Sequence, residues 1–154
     1  LIVLPITQAA PSDVLIVADF VTVEAANANF LGAGVTARFT AVNAGYTSRY
    51  NDGSAGPGGV QRADKLGGTL TAPTFTQIGY SMDDPRITAG SYVGMRIGLG
   101  VEGSAIIRLT MGEEQVIVDT SSPHTSGQMG IFTTCGANAG TNTNHFRNIR
   151  AYEL

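Results

Sequence analysis

The chain has 154 residues, with 9 Lys+Arg against 12 Asp+Glu, a formal charge of −3, and 14% charged against 43% hydrophobic residues. That is one domain's length, apolar enough to build a core and without the basic excess that nucleic acid or an anionic membrane surface recruits. One Cys and two His exclude an internal disulfide and a multi-cysteine zinc site.

Residues 1–6 are apolar but interrupted by Pro5, far short of the roughly 18 to 20 residues that cross a bilayer, so no membrane anchor is expected. Followed by Thr7-Gln8-Ala9-Ala10-Pro11, they read as an opening strand or arm. The alternative, the tail of a signal peptide, lacks a positive n-region. The expected organisation is an N-terminal arm or strand over 1–11 and a single domain over 12–154. Residues 14–23 begin as a continuous apolar run and end alternating, which predicts a strand covered on both faces at one end. Residues 24–30 are Ala-rich with two Asn and predict a loop or one turn. Over 34–42 the alternation sets Val35, Ala37, Phe39 and Ala41 on one face and Thr36, Arg38 and Thr40 on the other. Residues 46–51 set Tyr46, Ser48 and Tyr50 on one side and stop at Asn51-Asp52-Gly53-Ser54, a strong turn signal, before a Gly/Pro-rich loop through Gly59.

Residues 92–119 predict a three-stranded antiparallel meander. Val93, Met95, Ile97 and Leu99 point inward, Val101-Glu102-Gly103 turns, Ala105, Ile107, Leu109 and Met111 point inward, Gly112-Glu113 turns, and Val116 and Val118 return inward. Arg96 and Arg108 fall on the opposite face, where neighbouring strands can bring them close. Residues 130–134 and 146–152 supply two more short strands, separated by a polar loop over 135–144. Strand spacings near ten residues with Gly-rich turns define an antiparallel β-sandwich or barrel.

Three ordered patterns extend this. Gly32-Ala33-Gly34-Val35-Thr36-Ala37-Arg38-Phe39 with Gly45-Tyr46-Thr47-Ser48-Arg49-Tyr50 is the first, and the meander from Tyr92 is the second. Ser126-Gly127-Gln128-Met129-Gly130-Ile131 with Phe146-Arg147-Asn148-Ile149-Arg150 is the third. Together they resemble the concanavalin A-like (laminin G-like) jelly-roll domains of phage virion and exported bacterial proteins, over roughly residues 12–152. The resemblance implies an all-β antiparallel sandwich. Relatives carry an earlier strand beside the closing one, and with only residues 1–11 ahead of the first matched strand, the sheet is expected to lack its first strands. Arg147 stands where many relatives have an acidic residue that in some members binds calcium, which argues against that site here.

Glycosidases on this fold place two carboxylates on one strand, and no such spacing occurs. Glu113-Glu114 read as a turn, Asp83-Asp84 precede Pro85, and Asp13 and Asp19 lie too far apart, so no enzyme and no catalytic residue are expected. His124 and His145 read as surface histidines and Cys135 as a small buried or loop residue. No metal site or cofactor is expected. Asn51-Asp52-Gly53-Ser54 and Asp83-Asp84 offer oxygens to Ca²⁺ without the ligand density of a dedicated loop, and turn chemistry explains them more simply. A glycan surface would draw on Arg38, Tyr46, Arg49, Tyr50, Tyr92 and Arg96, with Tyr80 beside them, because rings stack on apolar sugar faces and Arg forks bond hydroxyls or acidic groups.

The first functional expectation is a non-catalytic virion structural or surface-display domain, such as a phage head-decoration, fibre or tail module. It would assemble with copies of itself and with other virion or surface proteins. The alternative is a carbohydrate-binding or adhesion module of a secreted or cell-surface protein. Either places the chain on a virion surface or outside the cell, with no nucleic-acid or membrane partner.

Overall fold

The computed structural model describes residues 2–5, 12–24, 30–40, 44–51, 60–69, 71–78, 82–83, 95–103, 106–111, 113–121, 123–135 and 143–154. Among them the order is β1 (Ile2–Pro5), β2 (Val14–Glu24), β3 (Phe30–Thr40), β4 (Ala44–Asn51), β5 (Val60–Gly68), β6 (Pro73–Gln77) and β7 (Met82–Asp83). There follow β8 (Met95–Glu102), β9 (Ile106–Met111), β10 (Glu113–Val118), β11 (Gln128–Cys135) and β12 (Thr143–Glu153). They form two antiparallel sheets, one of seven strands ordered β1-β11-β3-β4-β5-β6 with β7 also on β5, and one of five ordered β10-β9-β8-β2-β12. Two meanders, β3–β6 and β8–β10, each stay in one sheet, while β2 to β3 and β11 to β12 cross between sheets, so the chain is an all-β jelly-roll sandwich.

The core follows from the alternation. Val14, Ile16 and Ala18 of β2 and Ile97, Leu99 and Val101 of β8 are buried, as are Val35 and Ala37 of β3 on the facing sheet. Each Val, Leu or Ile so buried contributes about 1.5–3 kcal/mol.

Three sequence expectations change in register. Val116 and Val118 are 55% and 60% exposed, because β10 pairs Val116 with Arg108 and Val118 with Ile106, leaving Ile117 in register with Ile107 and Val101. Glu113 and Glu114 pair with Met111 and Thr110 and so belong to β10 rather than to a turn. Arg108 pairs with Gly100, four positions from Arg96, which at about 3.3 Å per residue separates the two by ~13 Å along the strands rather than bringing them together. Residues 25–29 and 52–59 lie outside the described residues, so the predicted turn and Gly/Pro loop there have no counterpart in this description.

Ile2–Pro5 pairs with residues 130–133 of β11, not with the closing strand. Among the described residues β12 is an edge strand with β2 as its neighbour. Phe75 on β6 and Phe132 on β11 stack with centroids 6.3 Å apart. Four strand steps separate β6 from β11, about 19 Å if the sheet were flat, so the large sheet curls and its outward face is concave.

The regular alternation of β3 fails at Arg38, whose φ of 51° marks a bulge where the pairing with β4 slips between Ala37 and Thr40. Instead of the solvent face that period two assigns it, Arg38 is 0% exposed. Gly127 makes the close approach possible, since a Cβ there would lie 2.7 Å from Phe39 N and closer still to the Arg38 carbonyl. Gly127→Ala is therefore expected to cost about 2–4 kcal/mol in urea denaturation, and an unchanged midpoint would show that the bulge yields freely.

Candidate functional site

Arg38 is a clasp across one end of the sandwich. Its Nε donates to the Ser12 carbonyl, Nη1 to the His124 carbonyl at 2.8 Å, and Nη2 to the Gly103 carbonyl at 2.9 Å and to Asp13 Oδ1 at 3.2 Å. Asp13 Oδ1 also accepts from Gly103 N at 2.9 Å. Three segments far apart in sequence thus close on one planar fork, a task suited to Arg rather than Lys. With every guanidinium nitrogen bonded to the protein and no exposed surface, Arg38 is corrected from a ligand-facing residue to an internal one.

Tyr46 is also enclosed, between the sheets. Its Oη donates to Asp119 Oδ2 at 2.8 Å and accepts from His124 N at 3.0 Å. Lys65 Nζ reaches the same Asp119 oxygen at 2.8 Å and the Ser121 carbonyl, while Ser121 N and Oγ donate to Asp119 Oδ1 at 2.9 and 3.0 Å. Burial alone would raise the Asp119 carboxyl, but the bonds from Lys65, Ser121 and Tyr46 outweigh it and hold the group below the usual carboxylate range. Burial, with the bond to Asp119, pushes the Tyr46 phenol up. The His124 ring meets the Tyr46 ring edge-on at 5.4 Å, and its Nε2 is buried without a hydrogen-bond partner. Burial, then the charge of Lys65, lowers its imidazole, so His124 is a half-buried neutral group rather than the surface histidine expected. His145, by contrast, is exposed.

Arg49 lies on the concave side. Its Nε donates to Asp64 Oδ2 at 2.7 Å and its guanidinium sits 4.1 Å from the Phe75 ring centroid. Arg49, Asp64, Phe132, Thr36 and Thr47 are all buried, so the middle of this face is filled by the protein's own side chains. Tyr46 and Arg49 therefore occupy opposite faces of β4, not one joint sugar surface. Arg96 is on the other sheet, 68% exposed, with Nε donating to Asp19 Oδ1 at 2.9 Å. Tyr50 pairs through its backbone with Ala33 and Gln61, while Tyr80 and Tyr92 lie outside the described residues.

Among the described residues no three His, Cys, Asp or Glu side chains converge on a metal-sized site. The Asn51–Ser54 and Asp83-Asp84 oxygens fall mostly outside the described residues. What the sequence reading missed are the carboxylates: Asp13, Asp19, Asp64 and Asp119 each take a bond from Arg or Lys. Low charge density was the available signal, since a domain with few charges that buries several must pair them.

No family model matches the chain, and no curated protein does. Among solved structures it is similar to the carbohydrate-binding module CBM66 from Bacillus subtilis, with a TM-score of 0.59 and 18% identity over 94% of this chain and 77% of that one. The likeness is one of fold: both are β-sandwiches of the jelly-roll type.

Two outcomes test the internal network. Arg38→Met strips three carbonyls and Asp13 of their donor, and because Ser12 and Gly103 are exposed and Asp13 is partly so, water replaces part of the loss. The cost is expected at about 2–3 kcal/mol, whereas a loss under about 1 kcal/mol, the range of an exposed pair, would remove Arg38 from this role. His124 takes up a proton in the unfolded chain near pH 6.5 but only at lower pH when folded, so acidification below that point favours unfolding. Denaturation midpoints measured from pH 7 downward should fall less steeply in His124→Gln, and parallel curves would show that other groups drive the acid limb.

Proposed function

We propose that the chain is a non-catalytic carbohydrate-binding module that works outside the cell or at a surface. The observation that carries this is the sandwich shared with the Bacillus subtilis carbohydrate-binding module along almost the whole chain. The carboxylate pairing supports it. Asp13, Asp19, Asp64 and Asp119 each hold a cation in place, and Asp64 and Asp119 are buried, an arrangement that builds a scaffold rather than an acid and base facing a scissile bond. The likeness to the Bacillus subtilis module lends nothing to the virion-assembly reading.

Light scattering followed by a glycan array on the same sample tests the proposal. A monomer that retains a defined sugar, without cleaving it, is the expected result. A stable oligomer that retains no glycan would overturn it in favour of assembly, and release of sugar fragments would overturn its non-catalytic part.

A further inference from the structure

The outward face of the five-stranded sheet combines features that the internal network does not use. β12 pairs Arg147 with Asp19, Arg150 with Val17 and Tyr152 with Leu15. Residues three apart on a regular strand point to opposite faces, but Asn148, at φ 51°, inserts a bulge between Arg147 and Arg150. Their partners Asp19 and Val17 are two apart, so both Arg and also Tyr152 emerge on the same outward face. Asp19 pairs on its other side with Arg96. Arg96 and Arg147 therefore flank one carboxylate from the two neighbouring strands, with Arg150 one alternation further along β12.

That carboxylate organises them. Asp19 Oδ2 accepts from Asn148 Nδ2 at 2.8 Å, which ties down the bulge, and Oδ1 accepts from Arg96 Nε at 2.9 Å, which leaves the two terminal amines of Arg96 turned to solvent. The bonds from Arg96 and Asn148, aided by the charge of Arg147, hold the Asp19 carboxyl below the usual range. Counted over Asp19, Arg96, Arg147 and Arg150, two positive charges are in excess, on a protein whose overall charge is −3. Arg147 and Arg150 are exposed, and Tyr152, 44% exposed, offers a ring one alternation beyond Arg150. From Arg147 to Tyr152 the register spans about 13 Å along the strand, and Arg96 lies about 10 Å across it.

We propose that this face binds a carboxylated sugar chain, its acid groups taken by the forks of Arg96, Arg147 and Arg150 and one ring face laid on Tyr152. Charge complementarity selects the acid, since planar forks bond carboxylates in pairs, and the aromatic ring selects a sugar over a bare anion. The inference rests on the carbohydrate-binding reading and names the class of glycan that reading leaves open.

Calorimetric titration of the whole chain with oligogalacturonate and oligomannuronate, against the methyl ester of each, isolates the charge on an unchanged backbone. Binding of an acid form, at least about tenfold weaker for its ester, is expected. Arg147→Gln with Arg150→Gln should cost at least a further tenfold, and Tyr152→Ala about three- to tenfold, with melting curves unchanged because these side chains are exposed. Equal affinity for acid and ester, or parental affinity in the double variant, would overturn the proposal. So would an oligonucleotide that binds as tightly and is indifferent to Tyr152→Ala, which would reduce the face to plain charge attraction. Retention of neutral glycans without either uronate would sink this inference and leave the carbohydrate-binding reading standing, whereas failure on every glycan would sink both.

Discussion

A guanidinium with no exposure is costly to place inside a protein, and the end of this sandwich is arranged around keeping one satisfied. Arg38 reaches the segments that hold Ser12 and Asp13, Gly103 and His124, which enter from the start of β2, the β8–β9 turn and the approach to β11. None of these points lies within a strand, though the Asp13 carbonyl accepts a backbone bond from Leu154 N. The other three carbonyls would otherwise need water or another donor, and one rigid fork supplies them all. The bulge that sends Arg38 inward, and the glycine that lets β3 approach 127, are parts of the same device.

Polar chemistry in this protein is divided by face. Between the sheets, Tyr46, Asp119, Lys65 and His124 form a closed network whose shifts follow from burial and mutual bonds. On the concave side, Arg49, Asp64 and the stacked Phe75 and Phe132 fill the curve of the large sheet. The outward face of the small sheet differs from both. There Asp19 uses its two oxygens to position neighbours while Arg147 and Arg150 remain exposed. A carboxylate that orders cations without consuming them all creates a recognition surface, and the same residue type enclosed together with its cation creates a strut. Asp19 and Asp64 show the two outcomes within one chain.

Much of the architecture was legible because burial on one face imposes period two. The strands around Ile16, Val35, Ile97 and Phe132 and the turn at Gly103 could be read from alternation and glycine placement. The alternation misled where a strand's register or its regularity changed. Val116 and Val118 look as inward as Ile107 in sequence, and only the pairing of β10 with β9 sets them outside. Arg38 sits on the polar side of a clean pattern, and a single bulge reverses it. The candidate glycan residues fared similarly: a strand pattern says that Tyr46 and Arg49 differ in face, but not that both faces of β4 are covered.

From the sequence by itself came an all-β antiparallel sandwich or barrel, the meander and the scarcity of charge, because these depend on local periodicity and composition, which the chain carries residue by residue. The choice of sandwich came with the resemblance to the jelly-roll domains. Tertiary structure alone decided which charges are spent inside and which remain at the surface. Asp13 with Arg38, Lys65 with Asp119 and Arg96 with Asp19 are separated by 25, 54 and 77 positions. No short-range pattern links such pairs. They meet because sheet order, curl and two bulges at Arg38 and Asn148 bring distant strands together, and the faces those bulges choose determine what the protein can hold.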